Sequence, residues 1–264
     1  VNRAVLSMYE WPETADDIAR LWQAIRNEIG SSIPDVPADL DHRTDLYSAW
    51  QSPDLLVGQT CGLPLVRTLQ DSVCVLGTFD HLLPNTAAGD YHSVLIVNQS
   101  NPALTLADLA TTTVAVNGLD SQSGYATLVH HVAPLANNGH FFGRVTVTGG
   151  HRNSVKAVAD GVATLAAIDA VSWELALAHE PAARQCRVLD RTDPTPGLPL
   201  ITSKANAQRV DELAGAVGRA AATLPESVAD ALHIHGFVRH DGDDYSVLSD
   251  RLQAASALGY ETLG

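Results

Sequence analysis

Short apolar runs stop at glycine or small polar residues and then restart at helical spacing all along this chain, and that punctuation constrains its fold more than any other feature. Val114, Ala115 and Val116 give way to Asn117, Gly118 and the block Ser121, Gln122, Ser123, Gly124; Tyr125, Leu128, Val129, Val132 and Leu135 then recur every three or four positions. The same change occurs at GQTCGLP (58–64), GGHRNS (149–154) and AAIDAVSW (166–173). Strand-like runs alternating with amphipathic stretches predict an α/β protein with largely parallel strands.

AVLSM (4–8) reads as the first strand. Pro12 follows, with a helix cap at Thr14, acidic residues Asp16 and Asp17 in the first turn, and one apolar face made by Ile18, Leu21, Trp22, Ile25 and Ile29 up to Gly30. DLLVG (54–58) and VCVLG (73–77) are further strands, separated by a short helix near Pro64. His81 to Asp90 reads as a loop, and SVLIVN (93–98) as a buried strand and candidate crossover. TTVAVN, RVTVTGG and ATLAAID, with their helices, form a second α/β unit, and CRVLDRT (186–192) with DPTPGLP leads back to LITS. Two crossings make a hinged pair of lobes: residues 1–90 with 190–264, and residues 91–189, the ligand cleft lying between them. The tail is expected to supply an extended piece and a final helix completing the first lobe. Its His233, His235 and His240 allow a metal reading, but an alternating strand through His233, Ile234 and His235 accounts for two of them more simply.

A chain of 264 residues, 45% hydrophobic, buries a real core. Its 16 Lys and Arg against 30 Asp and Glu leave no basic stripe for phosphate backbones, so a nucleic-acid partner is not expected. No apolar run approaches the roughly 20 residues that span a bilayer. The sequence opens at Val1 without a basic or apolar leader, so a signal peptide is either removed or was never present. Cys61, Cys74 and Cys186 have no metal-site spacing and read as free thiols, one bridge being conceivable. No cofactor is expected.

In open α/β sheets, ligands bind beyond the carboxyl ends of strands, where helix N-termini gather. Four turns of this chain sit there. The Ser121–Gln122–Ser123–Gly124 turn adds side-chain donors to the unsatisfied amides of a helix N-terminus and suits a small oxyanion, though one serine on its own is a plain helix cap. Gln59, Thr60 and Cys61 make a second polar turn, in which Cys61 lacks a neighbouring cation that would activate it. His151 begins a third, with a cap at Asn153 or Ser154. Asp169 ends a strand, where it either holds a ligand, orients His151 or caps the next helix. Tyr9, Trp11 and Trp173 can wall such a site.

YEWPET, GQTCGLP, SVLIV, SQSGY, GGHRNSVKAVADGVATLAAIDAVSW and RTDPTPGLPLITS, in this order, resemble the phosphate, phosphite and phosphonate substrate-binding proteins of ABC transporters. The resemblance covers nearly the whole chain and is strongest in GHRNSVKAVADG and AAIDAVSW. It implies a type II periplasmic binding protein fold, two Rossmann-like lobes joined by a two-strand hinge, and a monomeric, non-enzymatic receptor in the periplasm that hands a small anionic solute to a permease. It also implies ligand contacts from Ser121, Gln122 and Ser123, from His151 and Asp169, and from Tyr9, Gln59, Thr60 and Cys61; the reading of the turns themselves adds Gly124, which permits close approach, and Trp173 as a wall. Gln122 stands where a hydroxyl is usual, and Cys61 is also a departure. These residues mark a divergent branch, open to a sulfonate, a carboxylate or a larger metabolite. Two other readings remain: a cytoplasmic enzyme of the same fold using His151 and Asp169 as acid and base, and a ligand-sensing domain that regulates another protein.

Overall fold

The computed structural model describes residues 2–30 and 32–263. The chain separates into two compact units, residues 1–90 with 196–245, and residues 91–195 with 246–264. The first opens with β1 (Arg3–Val5), α1 (Ala15–Ile29), α2 (Leu46–Trp50), β2 (Leu55–Gln59), α3 (Gly62–Pro64) and β3 (Val73–Asp80). At β4 (Asp90–Tyr91) the chain passes into the second unit. There β5 (Ser93–Asn98), β6 (Thr113–Val116), α4 (Thr127–Val132), β7 (Arg144–Val147), α5 (His151–Ala159), β8 (Leu165–Asp169), α6 (Ala170–His179) and β9 (Cys186–Arg191) follow. The chain returns through β10 (Thr195–Pro196), which pairs with β4 as a two-stranded ladder. It continues as β11 (Leu200–Ser203), α7 (Val210–Thr223), α8 (Glu226–Leu232) and β12 (Gly236–Val238), and ends with α9 (Ser246–Ala257).

In the first unit the sheet order is β1-β2-β11-β3-β12. The buried residues of α1 are those its spacing predicts: Ile18, Leu21, Trp22, Ile25 and Ile29. They share one core with Leu56, Val57 and Leu76 of the sheet and with Leu213, Ala216, Val217 and Ala220 of α7, where alanines let the two helices approach closely. Each fully buried side chain of this size contributes about 1.5–3 kcal/mol. Thr14 stands at the N-cap but makes no capping bond. Its hydroxyl instead donates to Tyr9 O at 2.8 Å and accepts from Trp11 N at 2.9 Å, so it fixes the turn that presents Tyr9.

The second unit has sheet order β7-β6-β8-β5-β9, with β5 and β8 buried along almost their whole length. Both sheets are mixed rather than largely parallel. The returning strand β11 runs antiparallel to β2 and β3, and the entering strand β5 antiparallel to β8 and β9, because each arrives from the opposite direction to the βα units it joins. The last helix also departs from expectation, for α9 lies in the second unit. Ala255, Tyr260 and Leu263 are buried with Leu128 and Val132 of α4, and His130 Nδ1 lies 3.2 Å from Arg251 O. The chain therefore changes unit three times rather than twice.

The segment His233–His235 is not a strand. His233 caps α8 in the left-handed region at φ 53°, and β12 begins only at Gly236. Among the described residues there is no group of three or more His, Cys, Asp or Glu side chains placed to hold a metal, and Cys61, Cys74 and Cys186 form no disulfide. No described helix is long and apolar enough to cross a membrane.

Candidate ligand-binding site

In the second unit, β6 ends at Val116 and a widened π-type turn, Gln122–Ala126, precedes α4. Ser121 is its N-cap: Oγ accepts from Gly124 N at 3.0 Å, and Ala126 N donates to Ser121 O at 3.0 Å. The hydroxyl of Ser121 therefore shapes the turn, as a capping serine does. Ser123 differs. Its Oγ lies 3.0 Å from His151 Nε2, and its carbonyl accepts from Ser93 Oγ at 2.8 Å. Gly124 makes this packing possible, because a Cβ there would sit 1.8 Å from Asn117 Oδ1 and 3.3 Å from His151 Cε1.

His151 is the first residue of α5, after Gly149 at φ +83° and the N-cap Gly150, which supplies no side chain. The helix thus starts ahead of the expected cap at Asn153 or Ser154. Asn153 Nδ2 donates to Thr148 O at 3.1 Å, and Ser154 Oγ pairs with Thr148 Oγ1 at 2.6 Å, so both tie the helix to the preceding loop. Burial lowers the His151 pKa to about 4, so the ring is neutral near pH 7. Nδ1 is sealed from solvent and has no hydrogen-bond partner among the described residues.

Asp169 ends β8 directly opposite Ser93 of β5 and is 2% exposed. Its Oδ1 accepts from Ser172 N at 3.0 Å, which is the helix-cap reading. It does not orient His151 through Nδ1, since that atom has no hydrogen-bond partner among the described residues. Trp173 lies buried one turn into α6. Sequence reasoning missed Ser93 and Thr192, which support the Ser123 turn: Ser93 N donates to Thr192 Oγ1 and Thr192 N to Ser93 O, each at 3.0 Å. Together with Tyr91, Gln122, Ser123 and Thr127 they line a narrow polar notch. The available signal was a serine opening the otherwise apolar run SVLIV.

The first unit holds a separate group. Gln59 and Thr60 follow one another in the β2–α3 turn, fixed by Trp50 Nε1 donating to Gln59 O at 3.1 Å and Thr60 N to Pro199 O at 3.0 Å. Cys61, the next residue, is the N-cap of α3 without a side-chain capping bond. Tyr9 packs edge-on against His81, ring centroids 5.6 Å apart. His81, also missed from the sequence, is 6% exposed and places Nδ1 2.6 Å from His233 O. A carbonyl only accepts, so Nδ1 carries the proton and Nε2 is left as an acceptor. Burial lowers its pKa to about 4.

The second-unit cluster is thus rich in neutral donors at helix starts, a chemistry that suits an oxyanion. Ser123 and His151 have the separation of a nucleophile and base, but among the described residues no third group orients the imidazole at Nδ1. The family of periplasmic phosphonate substrate-binding proteins of ABC transporters matches residues 12–245. The chain belongs to that family.

Members of this phosphonate-binding family act as the substrate-binding component of a transporter rather than as enzymes. A comparison with curated proteins found no match. Among solved structures, PhnD1 from Prochlorococcus marinus in complex with methylphosphonate is similar at TM-score 0.75 and 14% identity, covering 97% of this chain and 98% of that one. A binding protein component of an ABC phosphonate transporter from Pseudomonas aeruginosa is similar at TM-score 0.74 and 16% identity, covering 98% and 87%. MatC from Rhodopseudomonas palustris with bound malate is similar at TM-score 0.63 and 13% identity, covering 97% and 98%. These likenesses establish the two-lobed periplasmic binding protein fold.

Proposed function

We propose that this phosphonate-binding family member is a solute receptor that captures a small anion, phosphonate-like in shape and charge, between two closing units and delivers it to an ABC permease in the periplasmic space. The observation that carries the reading is the 3.0 Å contact of Ser123 Oγ with a neutral, buried His151 at the start of α5. With the proton on Nε2, His151 donates to Ser123 Oγ, and the serine hydroxyl is free to donate onward to a ligand oxygen. Gln122 and the turn amides other than those of Gly124 and Ala126, which are bonded to Ser121, complete a donor set, and Ser93 holds the Ser123 carbonyl away from the anion. From the first unit, Tyr9, Gln59, Thr60 and Cys61 are proposed to close over the same ligand.

Calorimetric titration with methylphosphonate tests this. Ser123→Ala is expected to weaken binding by about 1.5–3 kcal/mol, the range for a hydrogen bond to a charged group, and the ligand is expected back unchanged after long incubation. Equal affinity in the variant would remove Ser123 from the grip. Turnover abolished by His151→Ala with binding retained would favour the enzyme reading.

A further inference from the structure

Segments far apart in the chain enclose a cavity of about 610 Å3 in the first unit: the turn Leu65–Leu69 after α3, the first part of β3, the turn Lys204–Arg209 with the start of α7, and the loop 241–243. Its volume is that of a small-molecule pocket, about 300–1,000 Å3. The walls are graded. Leu65, Val73 and Val75 are buried and Val66 and Val210 half-buried, whereas Lys204, Asp241 and Asp243 stand exposed at the mouth. Asp211 also lines the cavity but is ion-paired with Arg239 at 3.0 Å, which leaves the carboxylates of Asp241 and Asp243 against one ammonium, that of Lys204. Asp241 Oδ1 accepts from Asp243 N at 2.8 Å, so the loop's own backbone fixes one of these carboxylates in place.

An apolar floor beneath an acidic mouth matches a ligand with an apolar arm and a cationic head. We propose that the first unit binds a primary alkylammonium in this cavity, its chain over Leu65, Val73 and Val75 and its head paired with the carboxylates of Asp241 and Asp243. This is a second site, since every lining residue belongs to the first unit and the Ser121–Gly124 turn to the second. A metal ion is the wrong occupant, because the described residues hold no group of three or more ligating side chains and a hydrocarbon floor offers none. An anion would face two carboxylates for one ammonium. None of the described residues lining the cavity is aromatic, so it has no ring faces with which to cage a quaternary ammonium, and a head that donates N–H bonds to carboxylates is the better match.

The probe is n-octylamine, titrated calorimetrically into the full chain at neutral pH, with octanoate and octyltrimethylammonium as controls. Cys74 reports the place, for it lines the cavity half-buried while Cys61 and Cys186 are buried. Octylamine is expected to bind and to slow alkylation of Cys74 by N-ethylmaleimide, and both controls to bind about tenfold more weakly. Asp241→Asn combined with Asp243→Asn keeps the Oδ1 acceptor of the loop and removes both charges; it is expected to weaken octylamine about tenfold or more. Lys204→Gln removes the competing ammonium and is expected to tighten binding, a change of sign that damage to the fold would not produce. No binding of octylamine, equal binding of either control, unchanged Cys74 alkylation with octylamine bound, or full affinity in the Asn variant would each overturn the proposal.

Discussion

Residue by residue, the turn that carries Ser123 depends on close approach more than on charge. A methyl group at Gly124 would overlap Asn117 Oδ1, an atom with no hydrogen-bond partner among the described residues. Gly124→Ala is therefore expected to destabilise the protein by about 1–3 kcal/mol, as overpacking does. Asn117→Ala should be mild alone and should recover much of that loss in the double variant, a non-additivity that denaturant titration would read directly. Simple additivity would mean that the Gly124 contact is not the constraint. The placement of Ser121, Ser123 and His151 at strand-to-helix turns was legible in the sequence. Their division of labour was not, since the capping bond of Ser121 and the imidazole contact of Ser123 depend on how a π turn aims two neighbouring hydroxyls. His81 was invisible because its burial beside Tyr9 comes from packing between segments far apart in the chain.

For single elements, the cap at Asp169 and the placement of α9 give two tests. Asp169→Ala removes the acceptor of Ser172 N and should cost about 0.5–2 kcal/mol, with Asp169→Asn closer to wild type in thermal unfolding. Ala255→Glu puts a carboxylate among Leu128, Val132 and Tyr260. Hydrogen exchange should then show lost protection in α4 and β6 before β2 or α1 changes; the reverse order would place α9 with the first unit. Helix α1 was readable to the residue from its apolar spacing. The destination of α9 was not, because an amphipathic pattern says that a helix packs and not which sheet it packs on. The antiparallel strands β5 and β11 escaped the sequence for a related reason: a buried apolar run looks the same in either direction.

At the scale of the whole molecule, two deeply buried histidines lead the response to acid, and burial lowers His92 and His130 in the same direction. His81 and His151 are held neutral in the folded state, with pKa values near 4 against 6.5 for the free side chain. Between those values the unfolded chain binds more protons than the folded one, so stability is complete above pH 6.5 and falls as pH drops toward 4. Each histidine withdraws at most roughly 2 kcal/mol by pH 5. Thermal unfolding measured from pH 7.5 to 4.5 should show this decline, and His81→Asn should flatten it; an unchanged slope would mean that His81 is not buried neutral. The Thr44 hydroxyl holds the Asp41 carboxyl below its usual range, and in Glu180 burial pushes the carboxyl up but hydrogen bonds from Arg152, the Ala182 amide and Lys156 together bring it below, so both extend the loss to lower pH. The receptor reading itself is tested most directly by thermal shift of the wild-type protein with methylphosphonate, phosphate, phosphite, a sulfonate and malate. A ligand present at 100 times its dissociation constant adds about 2.7 kcal/mol to the folded state. We expect a phosphonate or its phosphorus relatives to raise the unfolding temperature and malate to leave it unchanged. Stabilisation by malate with none from any phosphorus oxyanion would contradict the account.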